Sequence, residues 1–135
     1  MIFEINKAIA SKIKELYPAA EVYDEDVPQG FKEGSFFITV IDSSYSKALS
    51  SKFSASVTYN IDYFPDDPLN PKNECYQISE SILRGFDLLD GFRIQDKTSS
   101  VTDDVLHIQF IVKYREINQE IATKMNQINF TEGGN

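Results

Sequence analysis

The sequence predicts an α+β domain: a mainly antiparallel or mixed sheet of about four to five strands, with two helices packed on one face. Three observations predict it. Apolar residues recur at helical spacing in two separate segments, and they alternate strictly with polar residues in two others. The order helix, strands, helix, hairpin makes one layer of helices on one face of a sheet the economical arrangement. A chain of 135 residues is the size of one ordinary domain. We read the domain as residues 1–116 and residues 117–135 as a polar C-terminal extension.

The first helical stripe is Ile2, Ile5, Ile9, Ile13 and Leu16, with Lys7, Lys12, Lys14 and Glu15 off it. Tyr17-Pro18 ends it, because proline cannot continue a helix and pushes the residue before it out of the helical region. A short strand is expected around Glu21 to Tyr23, followed by an acidic loop. Phe36 to Ile41 is almost continuously apolar and reads as a strand buried on both faces. Residues 42–52 are serine-rich and without a period, so a long connection or a protruding hairpin tip is expected there. From Phe53 to Tyr63 apolar and polar residues alternate, giving a strand with one dry and one wet face. Asn70-Pro71 is a helix-start signal. Cys75, Ile78, Ile82, Phe86 and Leu89 form the second stripe, which is expected to stop at Asp90-Gly91. Phe92 and Ile94 open the next strand, a turn falls within 99–104, and Leu106 to Tyr114 alternate again. The extension carries one weak stripe, Ile117, Ile121, Met125 and Ile128.

Charge and motifs narrow the function classes. The net charge of −8 disfavours a nucleic-acid binder, and no block of Lys and Arg occurs in the sequence. No run of ~18 apolar residues is present, so no membrane span is expected, and the first residues lack a secretory signal pattern. There is no phosphate-binding glycine loop and no Gly-x-Ser-x-Gly elbow. His107, the single histidine, lies mid-strand on the face opposite the apolar alternation; we read it as a surface or interface residue rather than a general base. Cys75, the single cysteine, falls on the second apolar stripe and reads as a small buried hydrophobe. The carboxylate groups Asp24-Glu25-Asp26, Asp66-Asp67 and Asp103-Asp104 lack calcium-loop spacing and read as loop residues. Catalytic, cofactor-binding and metal-ligating residues are therefore expected to be none, and no enzyme activity is expected. Phe37 and Ile111 fall out of phase with a single buried face. Either a helix or loop lies across the second face, or a partner covers it.

Several runs resemble a known family in the same order. They are 5–18 (INKAIASKIKELYP), Val22-Tyr23, 27–31 (VPQGF), Phe36-Phe37-Ile38, 60–65 (NIDYFP), 73–76 (NECY), 103–110 (DDVLHIQF) and Val112-Lys113-Tyr114. Together they resemble the tail-terminator-like proteins of phages, defective prophages and phage-tail-like particles of Gram-positive bacteria. The resemblance covers roughly residues 2–115 and leaves the extension outside. It implies a structural protein forming a hexameric ring. Such a ring caps the head-proximal end of the tail tube (and the sheath, in contractile tails), stops polymerisation and presents a surface to the neck or connector. It implies no reaction and no cofactor. The implied partners are other copies of the chain, tube protein, sheath protein and a neck protein, in a virion or tail-like particle assembled in the host cytoplasm. We expect residues 42–52 and 117–135 to carry subunit or tube contacts, since the core needs neither. A neck or head-tail completion protein is the alternative reading. A small ligand-binding domain or enzyme with a pocket converging on His107 is the third.

Overall fold

The computed structural model describes residues 1–24, 30, 32–47 and 52–117, without the side chains of 116 and 117. The elements in order are α1 (Ile2–Leu16), β1 (Glu21–Asp24), β2 (Ser35–Lys47), β3 (Lys52–Phe64), α2 (Pro71–Gly85), β4 (Leu88–Leu89), β5 (Phe92–Thr102) and β6 (Val105–Ile117). The strands form one sheet in the order β1-β2-β3-β6-β5-β4. The β1–β2 pair is parallel and the other pairs are antiparallel. The α+β class and mixed sheet are as the sequence predicts, with six strands in place of four to five.

Both helices lie on the same face. Ile5, Ile9 and Ile13 of α1 and Cys75, Ile78 and Ile82 of α2 share one core with alternate residues of the strands, among them Val57, Tyr59 and Ile61 of β3 and Ile108, Phe110 and Val112 of β6. The centre is aromatic: Phe110 stacks on Tyr59 and meets Phe86 edge-on, each ring at 5.7 Å. The alternation visible in the sequence is therefore the division between helix-covered and outer faces.

The extra strand corrects the expected end of α2. The helix stops at Gly85, and Phe86 is already extended with φ −91° and ψ 100°. Phe86 and Leu89 are buried as the second stripe requires, but outside the helix. Spacing reports which residues are buried, not which backbone carries them. Leu89 instead pairs with Phe92, across a two-residue turn in which Asp90 has φ 51° and Gly91 φ 89°. Both are left-handed, the geometry that Asp-Gly favours between antiparallel strands.

A register shift in β5 between Gln95 and Thr98 turns Lys97 onto the helix face. Its Nζ donates to the carbonyls of Leu83 and Phe86, both at 2.6 Å, and so serves the end of α2, where carbonyls lack helical partners. Lys97→Met keeps the stem and removes the charge. We expect it to lower the unfolding free energy by about 1.5–3 kcal/mol, the worth of hydrogen bonds to a charged group. A urea titration followed by circular dichroism checks this as a lower midpoint with an unchanged slope.

The turn between β5 and β6 uses Asp103 and Asp104, at φ 52° and 61°. Aspartate tolerates this region better than most residues but still less well than glycine. Asp104→Gly is expected to raise stability by about 0.5–1 kcal/mol, read as a higher midpoint in the same titration.

In the serine-rich segment 42–52, β2 continues through Lys47 and β3 begins at Lys52, with Lys47 opposite Phe53, so these residues extend the sheet; residues 48–51 lie outside the described residues. Burial on β2 ends early: Ser35 to Ile38 are buried, whereas Ile41 to Lys47 are exposed. The expectation of burial through Ile41 thus holds only for the first half. After the shift between Val40 and Asp42 the strand runs out past the helices, and its small polar residues suit a wet surface. Ile117 is the last residue of β6, and the rest of the expected extension lies outside the described residues.

Phe37 is buried although it belongs to the outer face, opposite Asp62. Tyr23 of β1 stacks on it at 5.0 Å and Phe64 of β3 meets it edge-on at 5.2 Å. The out-of-phase position therefore builds a small aromatic cluster on the second face, from rings on both neighbouring strands. Ile111 is half-buried between Thr58 and Gln95.

Candidate assembly surface

The residues with chemical potential do not converge. His107 sits on β6 facing outward. Its Nδ1 lies 2.5 Å from Asp62 Oδ1, and Asn60 donates to the same oxygen at 2.8 Å. Ser100 is directly opposite His107 on β5, so Asp62, His107 and Ser100 make a row across three strands. That order matches a nucleophile, base and orienting acid. No hydrogen bond joins Ser100 to the imidazole, however, and the row lies on open strand surface. Two concavities lie elsewhere. One, of about 620 Å³, lies between α1 and the β4–β5 turn. The other, of about 400 Å³, lies beside Tyr17, Gly34 and Tyr63. The row pins β3 to β6.

Cys75 is fully buried, as its place on the stripe predicts. Burial first, then the nearby Glu74 and Asp104 charges, push its thiol above the ordinary value, and its Sγ lies 3.7 Å from the Asp104 carbonyl. The carboxylates have structural duties. Asp24 accepts from Asn6 at 3.2 Å, while Glu25 and Asp26 lie outside the described residues. Asp67 accepts from the amides of Leu69 and Asn70. Asp103 and Asp104 form the turn described above. Among the described residues no three of His, Cys, Asp and Glu come together as a metal set, and no helix is long and apolar enough to cross a membrane.

Glu74, in the first turn of α2, holds the loop that leaves β3. Its Oε2 accepts from the Tyr63 hydroxyl at 2.7 Å and the Asp66 amide at 2.8 Å, and its Oε1 from the Asp67 amide at 3.0 Å. Burial, followed by this hydrogen bond and the Glu74 charge, holds the Tyr63 phenol far above its ordinary value.

Among the described residues the outer face is largely polar and no helix packs on it. On β3 and β2 it carries Ser54, Ser56 and Thr58 beside Ser44 and Ser46. Beside these lies a basic cluster absent from the linear sequence. Arg93 of β5 is directly opposite Lys113 of β6, and Arg115 follows two residues on, opposite Ser54. All three are exposed. The linear sequence has no block of basic residues; the cluster forms because strand pairing joins residues 20 or more positions apart. Lys113 and Arg115, two residues apart in an alternating strand, are the signal that could have found it.

Among the described residues the chemically capable side chains form no cleft site, and the outer sheet face carries exposed strand and a cluster of like charges. Residues 4–124 match the family model of the phage tail terminator protein. The chain belongs to the phage tail terminator family. No curated protein matches it. The family match runs past the resemblance read over 2–115 and takes in the first residues of the expected extension. As a tail terminator the chain is a structural component of the phage tail and acts together with other tail components.

Proposed function

We propose that the chain forms a ring of six copies at the head-proximal end of the tail tube, where it stops polymerisation and presents a surface to the neck, without catalysing a reaction or holding a cofactor. In a contractile tail the ring also meets the sheath. Assembly takes place in the host cytoplasm, before the tail joins the head. The match of residues 4–124 to the tail terminators is the observation that carries this reading. The hairpin supports it: from Ile41 to Lys47 β2 buries none of its side chains, so that length of strand adds nothing to the core and is available to a neighbour. Among the described residues, β2 has no partner on its outer edge beyond the four residues paired with β1, which suits strand addition. Two different patches on each subunit are what closing a ring requires. We assign subunit or tube contacts to the hairpin tip and to residues 117–135.

The test is polymerisation of the cognate tube protein with increasing amounts of this chain, with tube lengths measured by electron microscopy. Capping shortens the tubes and places the chain at one end only. Deleting residues 117–135 should weaken capping while leaving the circular dichroism of the domain unchanged. Unchanged tube lengths with the full chain overturn the capping reading, and normal capping by the truncated chain removes the role given to the extension.

A further inference from the structure

Arg93, Lys113 and Arg115 are a liability to an isolated copy. Two like charges directly opposite one another weaken a sheet, and Arg93 and Lys113 are such a pair. None of the three makes an ion pair among the described residues. The neighbours on β3 are Ser54, opposite Arg115, and Ser56, opposite Lys113, whose short side chains leave the cationic heads accessible. In a chain of net charge −8, this cluster is a local inversion of sign.

The complement lies at the other end of the same strands. Asp103 and Asp104 occupy the β5–β6 turn. Asp66 and Asp67 follow β3, whose Tyr63 pairs with Leu106 next to that turn. The two ends are separated by roughly 25–30 Å of strand at ~3.3 Å per residue. At physiological salt that is about three screening lengths, so one copy cannot bring these four acids to its own cations. Two copies can.

We propose that the Arg93–Lys113–Arg115 face of one copy docks on the acidic turn end of a second copy, formed by Asp66, Asp67, Asp103 and Asp104. The two patches are different, so the contact is heterologous, the kind that closes a ring or continues in an open series. The inference rests on the proposed ring and supplies its subunit contact. Charge complementarity sets the orientation of the neighbours and speeds their encounter.

Cysteine cross-linking tests it with all seven charges in place. Ser54→Cys marks the basic face and Thr102→Cys the acidic end; both positions are exposed, and the native Cys75 is buried. The two variants are mixed at equal concentration under mild oxidation. The control is Glu80→Cys, on the exposed side of α2, mixed with Thr102→Cys. At low salt the first mixture should give roughly fivefold or more heterodimer over the control, an excess that disappears in ~0.5 M salt. Adding Lys113→Glu to the Ser54→Cys chain should abolish the excess, and pairing that chain with Thr102→Cys carrying Asp103→Lys should restore it. Equal yields in the two mixtures overturn the proposal. So does retention of short duplex DNA by the wild-type chain that Lys113→Glu abolishes while cross-link yields stay equal, which assigns the face to phosphate. Equal yields from a chain that still caps tubes defeat this contact and leave the terminator reading intact. A wild-type chain that fails to cap tubes defeats that reading whatever the cross-links show.

Discussion

Replacing Phe110 by alanine should remove about 3–5 kcal/mol of stability, the range for deleting a buried phenylalanine ring. The position justifies the upper part of the range. Phe110 is 1% exposed and lies between the stacked ring of Tyr59 and the edge-on ring of Phe86, each 5.7 Å away. It joins the two central strands to the segment just beyond α2, so the cavity has a rigid sheet on one side and cannot collapse freely. Domains of this size have only ~5–15 kcal/mol in total, so the variant stands near the edge of folding. Its midpoint in thermal unfolding should fall by roughly 10–20 °C. Phe110→Leu, which keeps most of the volume, should cost much less, about 1–2 kcal/mol. The sequence has no tryptophan, so far-ultraviolet circular dichroism is the suitable probe. Equal losses for alanine and leucine would show that the rings do not pack as described.

Glu74→Ala is the second large effect, an expected loss of about 2–4 kcal/mol from three bonds to one charged acceptor. The exposed Asp66 amide can turn to water, whereas the Tyr63 hydroxyl belongs to a residue only 6% exposed and is left unsatisfied. Glu74→Gln keeps the shape and should lose about half as much. The same contact gives a pH dependence. The Tyr63 phenol is raised by burial first and by Glu74 second, so the folded chain keeps its proton after the unfolded chain has lost it. Stability is unaffected by this group below the unfolded value near pH 10. It falls as pH rises above that value, because the unfolded state then binds fewer protons. Tyr63→Phe should flatten that alkaline decline, and Glu74→Gln should make it shallower without removing it. A wild-type decline as steep in Tyr63→Phe would place the titrating group elsewhere.

How much was legible in the sequence follows from the range of each signal. The stripe from Ile2 to Leu16 and the Tyr17-Pro18 stop match the observed bounds of α1, because spacing and proline act within a few residues. The alternation on β3 and β6 was equally direct. The end of α2 was misread because Phe86 and Leu89 continue a helical spacing while the Asp90-Gly91 turn pulls them into a hairpin. A turn signal outweighs periodicity when both fall on the same residues. Residues 42–52 gave no sign that strand would run through Lys47, since serine-rich strand with two wet faces has no periodic mark. The basic face was illegible for a different reason: Arg93 meets Lys113 only through the register of β5 on β6, and register is a tertiary fact. The place of His107 on the outer face was predicted, but its link to Asp62 depends on the pairing of β3 with β6.

The most direct test of the account is the position and copy number of this chain on assembled tails, by cryo-electron microscopy of purified particles. The account predicts six copies in a single ring at the head-proximal end of the tube, with the outer sheet face of each turned to its neighbour, and no copies elsewhere. Density for the chain along the tube or at the distal end, or a ring of another symmetry, would contradict it.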